Sequence, residues 1–401
     1  MMTSSAITDK ASSGTNELEE GASSVANPSG ADARDAKAMV AQDTAGSSPL
    51  TANEGPGAIG TAGGAPATVL PPNPVHLIRA ILGLDVDNDD DADSAVKGVE
   101  NFSSTVSIRS SIYDYIEENG RRYHRYKDGK YLLPNDEAEQ ERLDIQHNLM
   151  LLALDGKLHI APIEDMPGGV NNVLDMATGT GNWAIDFANA YPSASVVGTD
   201  LSLIQPEYVP ANCRFEISDA EDDWRFPVPF DYIHGRALVT CFKSHHTVFQ
   251  HAFNSLRSGG YLELQDGDLP LRFIDDSGNG TALETWSQRL MAGGAALGKD
   301  FTRGRRYKEL LEELGFVDVV EMRTQFPIGT WAVGKKMKTL GAWMKMDMLA
   351  GLQGMSMAIM TRGLGMTPEE VAVHLENVKT EIESNKLQAY FPVVLVYGRK
   401  P

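Results

Sequence analysis

Between residues 170 and 265, short apolar or β-branched runs alternate with stretches of helical character, and no other feature limits the fold of this chain as strongly. The runs are Val170 to Ala177, Ser195 to Thr199, Cys213 to Ser218, Phe230 to Gly235 and Tyr261 to Gln265, with helical stretches such as Asn182 to Ala190 and His246 to Leu256 between them. Strands separated by helices cannot pair as hairpins. They are joined by crossovers, which predicts a doubly wound α/β fold with a mostly parallel sheet. Two later runs, Phe316 to Met322 and Phe391 to Tyr397, close the pattern. The segment between them, Arg323 to Tyr390, reads as mainly helical and contains a cap signal: Thr367, then Pro368 at the first helical position and Glu370 three residues after the cap. Upstream, acids in the first turns and thickening apolar residues predict a helix from Asp136 to Leu154, before Asp155-Gly156.

Composition separates this pattern from the first hundred residues of the 401. No Phe, Trp or Tyr precedes Phe102, and residues 1–100 hold 15 acids against 5 bases, a net −10 out of the chain's −20. Such a stretch cannot bury enough apolar area to offset chain entropy, so an acidic disordered arm over 1–100 and a folded domain over 101–401 are expected. Its apolar island, Val75 to Leu84, has the makings of a short docking helix through which protein partners can bind. Asp89, Asp91, Asp93 and Glu100 fall at the ligand spacing of a calcium loop, but Ser94 stands in place of the turn glycine and no exiting helix follows, so no metal is expected. A sequence pI near 4.8 argues against nucleic acid as a partner. The short basic clusters Arg121-Arg122 and Arg303 to Arg306 read as solvated faces. Two cysteines, Cys213 and Cys241, are too few for a disulfide framework, and neither a signal peptide nor a membrane span is apparent. A cytoplasmic or nuclear protein without membrane contact is the expectation.

The chemistry concentrates in Val173 to Trp183, a strand, a tight turn of small residues and the start of a helix. Glycines allow close backbone approach there, and the helix N-terminus offers amide donors. Gly179-x-Gly181-x-x-Ala184 also satisfies the dinucleotide fingerprint, with Asp200 placed to hold an adenosine ribose. Three features favour S-adenosylmethionine (SAM) over NAD. Asp175 precedes the glycines, where a carboxylate suits the cationic methionine end of SAM and would repel a pyrophosphate. Ser218-Asp219-Ala220 puts an acid beside the adenine position, and Leu256 to Glu263 leads into a two-strand ending rather than a second dinucleotide-binding half.

Taken with Val197-Gly198-Thr199-Asp200-Leu201-Ser202, Arg214-Phe215-Glu216-Ile217, Asp219 to Asp222 with Trp224, and Phe230 to His234 with Arg236, the loop resembles the fungal LaeA-like methyltransferases. Tyr131, Leu133 to Glu137, Glu139, Arg142 to Asp144 and His147 resemble the N-terminal signature of that family, so the match runs from about Ile112 to Arg399. The resemblance implies a class I methyltransferase (Rossmann-like) sheet with N-terminal helices and a helical insertion before the last strand. It implies a role in fungal secondary metabolism, biosynthetic or, alternatively, regulatory through protein partners. It also implies that Asp175, Ala177, Thr178, Gly179 and Gly181 form the SAM loop, that Asp200 with Leu201 holds the ribose, that Asp219 and Ala220 flank adenine, and that Arg236 belongs to the cofactor site. Ala177 replaces the usual first glycine of the loop, and the Asp-Trp pair usual in the family is absent around Ser244 to His246.

Methyl transfer from a sulfonium chiefly requires alignment of nucleophile, methyl and sulfur. Where the acceptor is a hydroxyl or acidic N–H, a base assists, and His234, His245 and His246 are the candidates. Tyr123, His124, Tyr126 and Tyr131 are placed to act as a lid, and eight methionines between Met337 and Met366, with Trp331 and Trp343, suit an adaptable wall for a bulky apolar metabolite. Packing accounts for each of these residues equally well.

Overall fold

The computed structural model describes residues 115–401; the apolar island, the acidic run and the rest of the arm lie outside the described residues. The described chain begins with a hairpin, β1 (Tyr115–Glu118) and β2 (Arg121–His124), followed by helix α1 (Glu137–Ala153). The core then runs β3 (Asn172–Met176), α2 (Asn182–Ala190), β4 (Ser195–Asp200), β5 (Cys213–Ile217), β6 (Phe230–Arg236), α3 (His245–Ser255) and β7 (Leu256–Gly267). After a two-residue strand β8 (Arg272–Phe273) come α4 (Ala282–Ala296), α5 (Tyr307–Glu313), β9 (Val317–Pro327), α6 (Lys335–Leu364), α7 (Pro368–Ser384) and β10 (Ala389–Arg399).

The sheet has the order β5-β4-β3-β6-β7-β10, with β9 beyond β10 and β8 pairing the start of β10. β3 through β7 are parallel, and β10 runs antiparallel between β7 and β9. This is the class I methyltransferase sheet. The chain order reverses at β3, which has β4 on one side and β6 on the other, so a crevice opens beyond the carboxyl ends of those strands. β3 reads as a nearly continuous apolar run because both its faces are covered. Val173 and Tyr232 pack with Trp183 and Phe187 of α2 on one face, while Leu174, Met176 and Ile233 pack with Val248 and Phe249 of α3 on the other.

The expected elements are present with small shifts of boundary. Asp136 is the N-cap of α1, accepting from the Glu139 amide, and Thr367 and Glu370 form the reciprocal capping box of α7. The expected helical region begins inside β9, which continues to Pro327, and it then holds α6 and α7. Among the described residues the part before the core is a hairpin, the helix α1 and a short 3-10 helix at Ile163–Asp165. The hairpin turns at Asn119-Gly120, both with positive φ (52° and 75°), the conformation of the tight turns that join antiparallel strands.

α1, α4, α6 and α7 form a separate helical layer around a third apolar cluster that includes Trp286, Met344, Met348 and Met360. α6 is 30 residues long and buried on several sides, with no single apolar stripe. Arg142 of α1 ties it in, donating to Glu139 and, at 3.0 Å, to Asp347 of α6, with all three side chains buried. α4 and α6 approach through glycines: a Cβ on Gly293 would stand 2.7 Å from the Ile359 carbonyl, and one on Gly363 only 2.5 Å from the Gly293 carbonyl. Backbone cannot yield as a flexible side chain can. Gly293→Val is therefore expected to lower the unfolding free energy by about 1 to 3 kcal/mol, as overpacking does, read from urea denaturation. An unchanged midpoint would show that the helices do not cross at this distance.

Candidate cofactor site

The turn after β3 is built by backbone conformation. Ala177, Gly179 and Gly181 all take positive φ (53°, 61° and 83°), which lets three residues reverse the chain before α2 starts at Asn182. Gly181 is required for a second reason, since a Cβ there would lie 2.4 Å from the Phe215 ring. The Gly179 amide donates to Asp200 Oδ2 at 2.9 Å, and its carbonyl accepts from Gln205 Nε2 at 2.6 Å. Gln205 is thus a loop-holding residue not singled out from the sequence for that task.

Asp175, at the end of β3, does not stand free. Its Oδ2 accepts from Thr178 Oγ1 at 2.5 Å and its Oδ1 from His234 Nδ1 at 2.7 Å. The carboxylate can only accept, so Nδ1 carries the proton. His234 is fully buried, its ring stacked on Trp183 at 3.8 Å and 6°, and its Nε2 has no protein partner. His234 lines the cleft over the loop, with Asp175, Ala177, Thr178, Gly179, Asp200, Leu201, Asp219, Ala220 and Arg236; Gly181 sits just behind, at the N-cap of α2.

Asp200 ends β4, with Oδ1 accepting from the Ser202 amide at 2.9 Å. Burial pushes its carboxyl up to about 6 against the pull of these amides. Asp219 behaves oppositely. Burial alone would raise it, but Lys127 and Lys130 outweigh burial and hold it below the ordinary carboxylate range. Lys127 Nζ reaches Asp219 at 2.5 Å and Asp222 at 2.6 Å, while Lys130 bonds Asp219 and reaches Glu221 at 3.0 Å. The loop from 125 to 131 therefore straps the Asp219 edge of the cleft through lysines that sequence reasoning missed in favour of nearby aromatics. Of those aromatics, Tyr131 lines the cleft, whereas Tyr123 and His124 are buried away from it, Tyr123 beneath the Arg362 guanidinium.

Arg236 ends β6 at the inner end of the cleft. It meets His147 Nδ1 at 3.0 Å, and His147 Nε2 in turn bonds Asp186 at 2.8 Å. Burial draws the guanidinium down to about 10, Asp175 and Asp186 opposing. Of the three histidines considered as bases, only His234 reaches the cleft. His245 is buried in the core among Phe242, Phe249 and Tyr307, with Nε2 on the Leu238 carbonyl, and burial lowers it to about 4. His246 is exposed on α3, outside the cleft lining. The geometry therefore gives a proton-accepting role to neither.

A second cavity adjoins the first and shares Gln146, Arg236 and Ala237 with it. Met344 and Met348 of the insertion wall it with Phe326 of β9 and Trp286 of α4, a helix that sequence reasoning did not identify.

A family described as "Methyltransferase domain" matches residues 137–321. The chain is 34% identical over 317 residues to methyltransferase pytC of Aspergillus terreus, covering 78% of this chain and 96% of that protein. It is 32% identical over 310 residues to the secondary metabolism regulator laeA of Aspergillus fumigatus, covering 76% of this chain and 82% of that protein. The chain belongs to the fungal LaeA-like methyltransferases. It is an S-adenosylmethionine-dependent methyltransferase of class I, and its cleft fits that cofactor. An acid ends the second strand of the core, a turn with three residues at positive φ leads into α2, and a buried imidazole nitrogen and a guanidinium in the cleft lining stand without a carboxylate partner. Among the described residues no helix is long and apolar enough to cross a membrane.

The family's usual glycine at the position of Ala177 now has a physical reason, because a left-handed φ strains any residue with a Cβ. Relieving it costs some unfolded-state entropy, leaving a net gain of up to about 1 kcal/mol. Ala177→Gly is expected to raise the melting temperature by about 2 to 4 °C. A lower melting temperature would show that the Ala177 methyl packs more than it strains.

Proposed function

We propose that this protein methylates a small, fairly apolar metabolite in fungal secondary metabolism. The observation that carries this reading is the junction of two cavities at Arg236, Ala237 and Gln146, one over the glycine turn and the other walled by methionines and aromatics. SAM supplies an electrophilic methyl group on a sulfonium, transferred in line to a nucleophile. The residues of the cleft do the holding. Asp200, with Leu201 beside it, accepts from the ribose hydroxyls, Asp219 and Ala220 flank adenine, and Arg236 meets the methionine carboxylate. The turn from Ala177 to Thr180 lines the same cleft. Asp175 acts as a positioning residue, keeping Thr178 and His234 in place.

Residues 101–401 are read as the methyltransferase domain, on composition, with the acidic arm left for partners. The name of the laeA relative keeps a regulatory role in view. Metabolite extracts from strains with and without the gene separate the two. A biosynthetic enzyme leaves one metabolite lacking a single methyl, whereas a regulator removes many unrelated ones.

The proposed role of Asp200 has a pH signature. Its carboxyl titrates near 6 in the free protein, and hydroxyl donors favour the ionised form. SAM affinity is therefore expected to be flat above pH 7 and to fall by about tenfold between pH 6.5 and 5, as the fraction ionised falls. Asp200→Asn should weaken binding by roughly 10 to 100-fold at pH 7 and remove that slope. Calorimetric titration in which wild type shows no slope would place the ribose elsewhere.

A further inference from the structure

One residue that lines the second cavity carries a buried polar atom whose bonding is incomplete. Gln265 lies near the end of β7, is 1% exposed and lines the cavity. Its Nε2 donates to the Leu158 carbonyl at 3.2 Å and to Glu263 Oε1 at 2.8 Å. Both partners can only accept, so the amide cannot be turned round, and Oε1 is left without a donor. A buried carbonyl oxygen lacking a donor is an unfavourable arrangement that a ligand's N–H or O–H corrects.

Gln146 lines the cavity where it joins the first cleft, and the three charged groups of the lining have partners within the protein. Asp266 accepts from Tyr307 Oη at 2.6 Å and from the Leu238 amide at 2.9 Å, Asp347 is held by Arg142, and Arg236 meets His147. Around the remaining oxygen the walls are apolar and partly aromatic, with Trp286 and Phe326 beside Met344 and Met348. A charged or strongly hydrated acceptor would lose its water here, and Arg236, the cation at the junction, is the group read above as meeting the cofactor's carboxylate.

We propose that Gln265 selects the methyl acceptor, an apolar, aromatic-sized molecule that presents one O–H or N–H donor to Gln265 Oε1. The inference rests on the reading that the adjoining cleft holds SAM and the acceptor occupies the second cavity. Discrimination follows from the unpaired atom, because an analogue lacking the donor leaves Oε1 buried and unsatisfied, whereas methionine walls adapt to differences of shape.

The test uses the full chain saturated with S-adenosylhomocysteine and a matched pair of probes, 2-naphthol and 2-methylnaphthalene, which differ by hydroxyl against methyl. Equilibrium dialysis should show 2-naphthol bound at least about tenfold more tightly. Gln265→Met, which keeps length but loses the carbonyl, should bring that ratio below about threefold while SAM affinity stays unchanged. Met348→Trp should weaken both probes by filling the cavity. Equal binding of the two probes by wild type, no binding of either by protein that does bind SAM, or an undiminished ratio in a folded Gln265→Met would each overturn the proposal. The wild-type comparison stands even where the variant fails to fold. Loss of SAM binding in wild type with the probe ratio intact would instead count against the cofactor reading and leave the Gln265 site standing.

Discussion

The hydrogen bond between Asp175 and His234 joins the carboxyl ends of two neighbouring parallel strands, and the arrangement of the cofactor cleft follows from it. β3 and β6 end side by side, with Asp175 opposite His234 in register. The bond at 2.7 Å orients the imidazole, and Trp183 from the first turn of α2 stacks on it. Strand, turn and helix are thereby tied at one point. Thr178 closes the same carboxylate from within the turn, so the peptide groups between Asp175 and Gly181 have little freedom. Removing either partner would leave a buried polar group unpaired, at a cost of about 1 to 3 kcal/mol.

Much of this was legible in the sequence because each local choice agreed with the global one. The glycine turn, the acid ending β4 and the capping box of α7 all work through backbone conformation and short-range hydrogen bonds, which spacing reveals. What was missed depends on tertiary contact or on a weak local signal. α4 carries Gly293-Gly294 in its last turns, which lowers helix propensity, yet Gly293 is what allows α6 to approach and Gly294 makes room for the Phe301 ring. The β1–β2 hairpin has little apolar alternation, and Asn119-Gly120 was its only clear sign. His245 follows an N-cap serine in a sequence that looks exposed, and only the packing of Phe249 and Tyr307 around it shows that it belongs to the core.

The electrostatics of the cleft are divided along its length. At one edge, acids on the loop after β5 are neutralised by Lys127 and Lys130 from the segment between β2 and α1. At the opposite end, Arg236 lies in a buried setting where Asp175 is already engaged by protein donors. A net acidic chain thus presents a positive group where the cofactor's carboxylate is proposed to lie and a paired acid where its neutral base is proposed to lie.

The central claim is that SAM lies across the turn after β3, and hydrogen exchange of the free and SAM-bound protein addresses it without any substitution. Binding is expected to slow exchange of the amides from Ala177 to Gly181 and from Leu201 to Ser202, with smaller changes across the lysine strap. Protection confined to the helical layer of α4, α6 and α7, with the turn unchanged at saturating SAM, would contradict the account.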